Sequence, residues 1–388
     1  MKRSFVPGIA PGIIISVLLL AALPPLARCA GAGESEQAGA GEGEQAGAGE
    51  SERYEYLEYK MAVPVRLILY APSKEDADQA AEAVYQRFDA LNEVMSDWSP
   101  ESEIIRACRA ARTGERVPIS DDLYRVLALA RRYTELTQGA FDVSVSPVVK
   151  LWRRSRRMGT LPPEPNLTQA KALVGQQNWS LDSPDNPDNP DSPDSPGAAL
   201  SLAAEGVRLD LGGIGKGFAI DEAFEILRAR GLYSVLIDAG GDIRLGNPPP
   251  GKEGWVVTLA SLDKETPLET RVVHDLAIAT SGDTFQFVEI EGVRYSHIID
   301  PRRGEPLTQR RVVSVLAPTA AEADALASGF TVLGPDGTAA LARRVKSPAK
   351  EEPATEAPSG VGVLDGVEAV IVTEEGVTRL SFASRPEP

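Results

Sequence analysis

Residues 207–223, VRLDLGGIGKGFAIDEA, put an acidic strand end, four glycines and one lysine into a single turn. Val207, Leu209 and Leu211 alternate as in a strand, whereas Phe218, Ala219, Ala223, Phe224, Ile226 and Leu227 recur at helical spacing. The spacing predicts a strand, a tight turn and a helix, with the glycines at the helix entrance. Lacking Cβ atoms, Gly212, Gly213, Gly215 and Gly217 let a ligand approach the backbone, and the free N–H groups of a helix start favour an anion. Lys216 adds a full positive charge. A Walker A loop does not fit, because Asp210 stands where its first glycine belongs and Gly217 where its Ser or Thr belongs. A dinucleotide fingerprint fails at Phe218. Two readings stay open at this point, a cradle for a diphosphate and a tight turn with an exposed lysine.

The wider chain narrows the choice. At 388 residues and 43% hydrophobic, it has enough apolar surface for one large domain or two intimate ones. A net charge of −16 argues against a nucleic-acid partner, which would need clustered Lys and Arg. Lys2-Arg3, the apolar run from Ile13 to Leu23 and the small residues Ala30-Gly31-Ala32 have the layout of a secretory signal peptide over residues 1–32. The expectation is an exported protein, periplasmic or otherwise extracytoplasmic. Leu26-Ala27-Arg28-Cys29 also resembles a lipoprotein box, with Arg28 unusual before the cysteine, so soluble export leads over a lipid anchor. Cys108, the other cysteine, reads as a buried apolar residue.

Residues 33–52 repeat glycine, alanine and glutamate and read as an acidic tether to a domain over 53–388. Within it, 182–198, rich in Asp and Pro, and 346–360, with Pro, Glu and Lys, read as solvated insertions. Helical patterns cover Lys74–Leu91, Asp121–Thr137, Ile220–Gly231 and Thr319–Leu333. Strand patterns cover Arg66–Tyr70, Ser234–Asp238, Trp255–Leu259 and Val312–Leu316, giving an α+β class with a largely antiparallel or mixed sheet.

Thr319-x-x-Glu322 has capping-box spacing and predicts a helix start. On that helix Asp324 and Ser328 are i and i+4, an oxygen pair that suits Mg²⁺, although a solvated Asp beside a packing Ser would look the same. His297, in YSHIIDP, has an ordinary pKa suited to proton transfer near neutrality. It could equally hold the Asp300-Pro301 turn. Trp98 could stack on a flat ring or belong to the core beside Val94 and Met95. Arg153, Arg154, Arg156 and Arg157 read first as a solvated face and second as a screen for phosphates or an acidic partner.

Six segments, FDVSVSPVVKLW, LDLGGIGKGFAID, DAGGDIR, ATSGD, YSHIIDPRRGEP and APTAAEADALA, match in order and spacing the motifs of one family. Over roughly residues 55–385 the chain resembles the ApbE family of FAD:protein FMN transferases. The resemblance implies an α+β, T-fold-like arrangement with the FAD site at a central cleft. It implies a Mg²⁺-dependent enzyme that splits the FAD diphosphate and joins FMN to a Thr or Ser of an acceptor protein, releasing AMP. By matched position, Asp324, Ser328 and the Gly213 carbonyl take the places of the metal ligands, and Asp324 and His297 those of catalytic residues. Met61, Trp98, Ala140, Phe141, Asp142, Asp210, Lys216 and Ile299 match FAD-binding positions.

Two departures stand out. Ser328 replaces the usual threonine but keeps the hydroxyl, and Met61 is followed by Ala62-Val63 where the family has Gly-Thr. They motivate two alternatives to transfer, hydrolysis of FAD to FMN and AMP, and flavin binding without turnover. The acceptor is expected to be a separate extracytoplasmic redox protein, since the chain carries no acceptor-type motif of its own.

Overall fold

In Val63–Ala71, Val65, Leu67 and Leu69 point to one side and Ile68 to the other, and all four are buried. A strand so apolar on both faces has to be covered on both. The computed structural model describes residues 51–111, 113–182, 197–263, 266–283, 286–346 and 364–382. The expected signal segment, most of the tether and the interiors of both acidic insertions lie outside the described residues.

The central sheet has eight strands: β1 (Glu52–Lys60), β2 (Val63–Ala71), β3 (Val235–Ala239), β4 (Asp242–Leu245), β5 (Ala277–Gly282), β6 (Arg311–Ala317), β7 (Glu368–Thr373) and β8 (Gly376–Ser381). Their order in space follows their order in the chain, and every neighbouring pair is antiparallel. The antiparallel alternative of the sequence reading therefore holds for this sheet.

Seven helices lie among the described residues: α1 (Lys74–Met95), α2 (Glu103–Ala110), α3 (Asp121–Leu136), α4 (Ser146–Met158), α5 (Glu164–Lys171), α6 (Gly215–Ala229) and α7 (Ala320–Lys346). The main core lies between one sheet face and α1, α3, α6 and α7, and Cys108 sits in it as expected. The other face, with Ile68, Leu236 and Ile278, is covered by the hairpin of Trp255–Leu259 and Glu269–Val273. A third, smaller core joins α4 and α5 to Ile299 through Trp152 and Leu167.

The four helical patterns appear with shifted ends. Ser73 and Ser120 cap α1 and α3 by accepting the N–H groups of Asp76 and Leu123. The helix after Thr319 runs to Lys346 but breaks at Gly334, whose φ of 69° precedes Pro335. One expectation fails. Val207, Leu209 and Leu211 are buried as their alternation requires, but they form no ladder; the segment is extended, packed against the core and tied by Asp210 N–H to the Val143 carbonyl at 2.7 Å. Alternation reports which side chains are buried and is silent on whether the backbone finds a strand partner.

The turn from β1 to β2 has Met61 and Ala62 at φ of 49° and 63°, the left-handed pair a two-residue hairpin requires. Elsewhere, a Cβ on Gly217 would lie 2.2 Å from the Ala320 carbonyl oxygen. Two opposite outcomes are expected in urea unfolding. Ala62→Gly should stabilise by about 0.5–1 kcal/mol by relieving left-handed strain. Gly217→Ala should destabilise by about 2–3 kcal/mol by forcing α6 from α7.

Candidate active site

The glycine turn meets α7 through two reciprocal caps. Asp221 on α6 accepts the Ala320 and Ala321 N–H groups at the start of α7, each at 2.8 Å. Asp324 on α7 accepts the Gly217 N–H at the start of α6 at 3.2 Å. Thr319 adds half of the expected capping box, its hydroxyl accepting the Glu322 N–H at 3.3 Å. Three of the N–H groups that the glycines bring to the α6 N-terminus are therefore already taken. The Gly215 N–H bonds Leu211, that of Gly217 bonds Asp324, and that of Gly212 bonds Asp210. Gly217 is glycine because α7 crosses there, whatever ligand lies nearby.

Lys216 points into this junction, with Nζ 2.6 Å from Asp242 Oδ2 and 3.4 Å from Asp324 Oδ2. Burial works against its charge, yet Asp242 and Asp324 together hold its pKa above the ordinary lysine value. Burial and then the Asp242 charge raise Asp324 well above the usual carboxylate range, against the pull of Lys216. One lysine thus faces two buried carboxylates, and Asp242 Oδ2 accepts no hydrogen bond of good geometry despite the short ion pair. Asp242 is the residue that motif reading left without a role; its signal was an acid directly after the Gly240-Gly241 turn.

Gly213 lies against Ser328 and Phe141: a Cβ there would be 3.0 Å from Ser328 Oγ and 3.3 Å from the Phe141 ring. The sequence-predicted metal residues Gly213, Asp324 and Ser328 thus converge. Among the described residues no group of three His, Cys, Asp or Glu side chains could hold a metal. What is present is a carboxylate, a hydroxyl and a backbone turn beside an under-bonded second carboxylate. That oxygen-only set fits Mg²⁺, which binds through one or two carboxylates and completes its shell with water and phosphate.

Asp210 leads from this cluster to a cleft. Its Oδ1 accepts the Gly212 N–H at 2.9 Å, and its Oδ2 lies 3.6 Å from Arg153. Burial raises its pKa first, and the Asp97 charge raises it further. Arg153 also bonds Asp97 at 2.7 Å and lies over the Trp98 ring, 4.6 Å from its centre. Trp98 is 73% exposed, which removes its core reading. Trp98 and Arg153 line a cleft of ≈ 370 Å³ together with Arg156, Arg157, His297 and Ile299, and Asp210 touches it through Arg153. The arginine run, read first as a solvated face, thus turns three of its four members toward the cleft.

His297 Nδ1 lies 3.2 Å from the Gln286 carbonyl, so Nδ1 carries the proton and Nε2 keeps its lone pair. Burial, reinforced by the Arg156 charge, pushes the imidazole down to about 4. It is neutral near pH 7 with a free lone pair, but it is a weaker base than the ordinary imidazole expected from the sequence. The Asp300 turn is held instead by Arg302 and by Gly304 N–H, which excludes the structural role considered for His297.

The remaining expected residues are less direct. Ala140 and Phe141 are buried, and Asp142 caps the turn after it by accepting Ser144 N–H and Oγ–H at 2.8 and 2.6 Å. Met61 packs on the main core in the β1–β2 turn and is not among the residues lining the His297 cleft. The neighbouring Val63 abuts Gly240, so that turn borders the Asp242 side of the site.

Fold and site together define an α+β protein suited to hold a phosphate-bearing ligand between a lysine–carboxylate cluster and an arginine-lined cleft. The ApbE family model matches residues 61–350, and the chain belongs to that family. It is 30% identical over 282 residues to the FAD:protein FMN transferase of Vibrio cholerae, covering 71% of this chain and 80% of that protein. It is 31% identical over 277 residues to the one of Haemophilus influenzae, covering 68% and 76%. Among solved structures, the flavin transferase ApbE from Vibrio cholerae matches with a TM-score of 0.69 and 26% identity, over 86% of this chain and 98% of that one. The ApbE protein of Thermotoga maritima matches with a TM-score of 0.68 and 25% identity, over 84% and 97%.

Glu322, buried one turn into α7, titrates with the fold. Burial raises its carboxyl from 4.5 to about 7. A folded-state pKa above the unfolded one gives a contribution complete below pH 4.5 and lost as pH rises through 7. Between pH 4.5 and 8 the wild type should lose about 3 kcal/mol relative to Glu322→Gln, read from urea midpoints. Parallel curves for the two proteins would contradict this account of Glu322.

Proposed function

We propose that this protein transfers FMN from FAD to a Ser or Thr hydroxyl of an acceptor protein, with Mg²⁺ as cofactor and AMP as the second product. The observation that carries the reading is the placement of a neutral His297 in a cleft joined through Asp210 to the Lys216–Asp242–Asp324 cluster. Family membership and the names of the relatives support it.

In this reading Trp98 offers a face for a flat ring, while Arg153, Arg156 and Arg157 neutralise phosphate charge. Lys216 holds the diphosphate from the glycine turn. His297 Nε2 accepts the proton of the acceptor hydroxyl as that oxygen bonds to the FMN phosphorus. The bond from that phosphorus to the bridging oxygen breaks, and AMP leaves with the oxygen and the electron pair. Asp324, Ser328 and the Gly213 carbonyl would hold Mg²⁺, which when bound supplies positive charge beside the diphosphate. Phosphoryl transfer needs little beyond positioning and charge, and these groups supply both. The signal-like layout of residues 1–32 supports a reaction outside the cytoplasm.

The mature chain, incubated with FAD, Mg²⁺ and an acceptor protein, should raise the acceptor mass by one FMN group. Asp324→Ala should lower the rate by ~100-fold or more, and His297→Ala by a similar factor, while Ser328→Thr should retain activity. Free FMN in place of an adduct, across several acceptors, would assign water as the acceptor and overturn protein transfer.

A further inference from the structure

A second cavity, of ≈ 720 Å³, shares Trp152 with the His297 cleft. It is enclosed by α4 and α5, the strands Ile299–Asp300 and Glu305–Pro306, and the last turn of α7 before its kink. Its volume falls in the range of small-molecule sites. Its lining includes the ring pair Trp152 and Tyr295, 5.2 Å apart and inclined at 30°, and the apolar side chains Leu161, Val332 and Leu333.

The charges around it are unevenly matched. Arg302 pairs with Asp300 at 2.8 Å, and Arg303 with Glu305 at 3.1 Å. Glu164 sits exposed at the rim and accepts the Thr168 hydroxyl. Arg311 lines the cavity, is only 8% exposed, and forms no ion pair among the described residues. It donates to two neutral oxygens, Thr331 O at 3.0 Å and Gln309 Oε1 at 2.5 Å, while its Nε–H is buried without a partner. The carboxylates whose fields reach it are Asp283, already paired with Arg294, and the exposed Glu375. Gly334 leaves room for this guanidinium at the kink, since a Cβ there would lie 2.4 Å from Nη1. A buried charge without a counter-charge is costly, and an anion in the cavity would relieve it.

We propose that this cavity is a second ligand site, distinct from the flavin cleft, that takes a small monocarboxylate with a flat apolar body. The carboxylate supplies the counter-charge to Arg311, and the body lies against Trp152 and Tyr295. The site is independent of the transfer reaction, so failure of either proposal leaves the other standing.

Isothermal titration of the whole protein with 2-naphthoate tests it, with 2-naphthamide as the uncharged counterpart and saturating FAD as a control. The expected result is saturable binding of the carboxylate, at least ~10-fold tighter than the amide, and not displaced by FAD. Arg311→Gln should bring the two probes to equal affinity, and Leu307→Trp, which puts a bulky ring on the cavity lining and keeps Arg311, should weaken binding of both. The second variant serves if the first fails to fold for want of its bond to Thr331. No saturable binding, equal affinity of acid and amide for the wild type, displacement by FAD, or unchanged binding in Leu307→Trp would each overturn the proposal.

Discussion

The crossing of α6 and α7 at Gly217 is the contact on which the site depends. Each helix supplies the carboxylate that caps the start of the other, Asp221 for α7 and Asp324 for α6. The caps satisfy N–H groups that a helix start leaves open, and they fix the two helices at one separation and register. That register sets Lys216 against Asp324 and Gly213 against Ser328. An α6 with a bulkier residue at 217 could not reach it.

The same crossing concentrates charge where water is scarce. Lys216 balances one of its two carboxylates, leaving the cluster one unit negative when both are ionised. In the proposed reaction, Mg²⁺ held there would turn that deficit of one unit into an excess of one beside the diphosphate. The arginines of α4 complete the field from the far side of the cleft, with Asp97 and Asp210 fixing the first of them. His297 stays neutral among these cations first because burial disfavours its charge and second because Arg156 would repel it.

The antiparallel sheet explains how distant segments come to share this place. Its strands follow chain order, so functional parts arrive as insertions between neighbours: the helices and glycine turn between β2 and β3, and the His297 strands between β5 and β6. Helices α1, α3, α6 and α7 were legible in the sequence because each buries one stripe at a 3.6-residue period. Helices α2 and α5 span only eight residues each, too few turns for that period to declare itself, and β1 is an edge strand with little apolar content. The strand expected at Val207–Leu211 shows the limit from the other direction, since burial alternates there without a partner strand.

From the sequence alone came the α+β class with an antiparallel or mixed sheet, the capped start of α7 at Thr319, and the pairing of Asp324 with Ser328 one turn apart. Those are local properties, set by periodicity, capping chemistry and helical geometry within a few residues. Tertiary structure alone decided that Asp242 faces Lys216, that Arg153 joins Asp210 to Trp98, and that His297 is held neutral. It also decided that Gly217 marks the point where α7 crosses α6. Such facts depend on which surfaces meet and how much water is left between them, and no stretch of neighbouring residues records that.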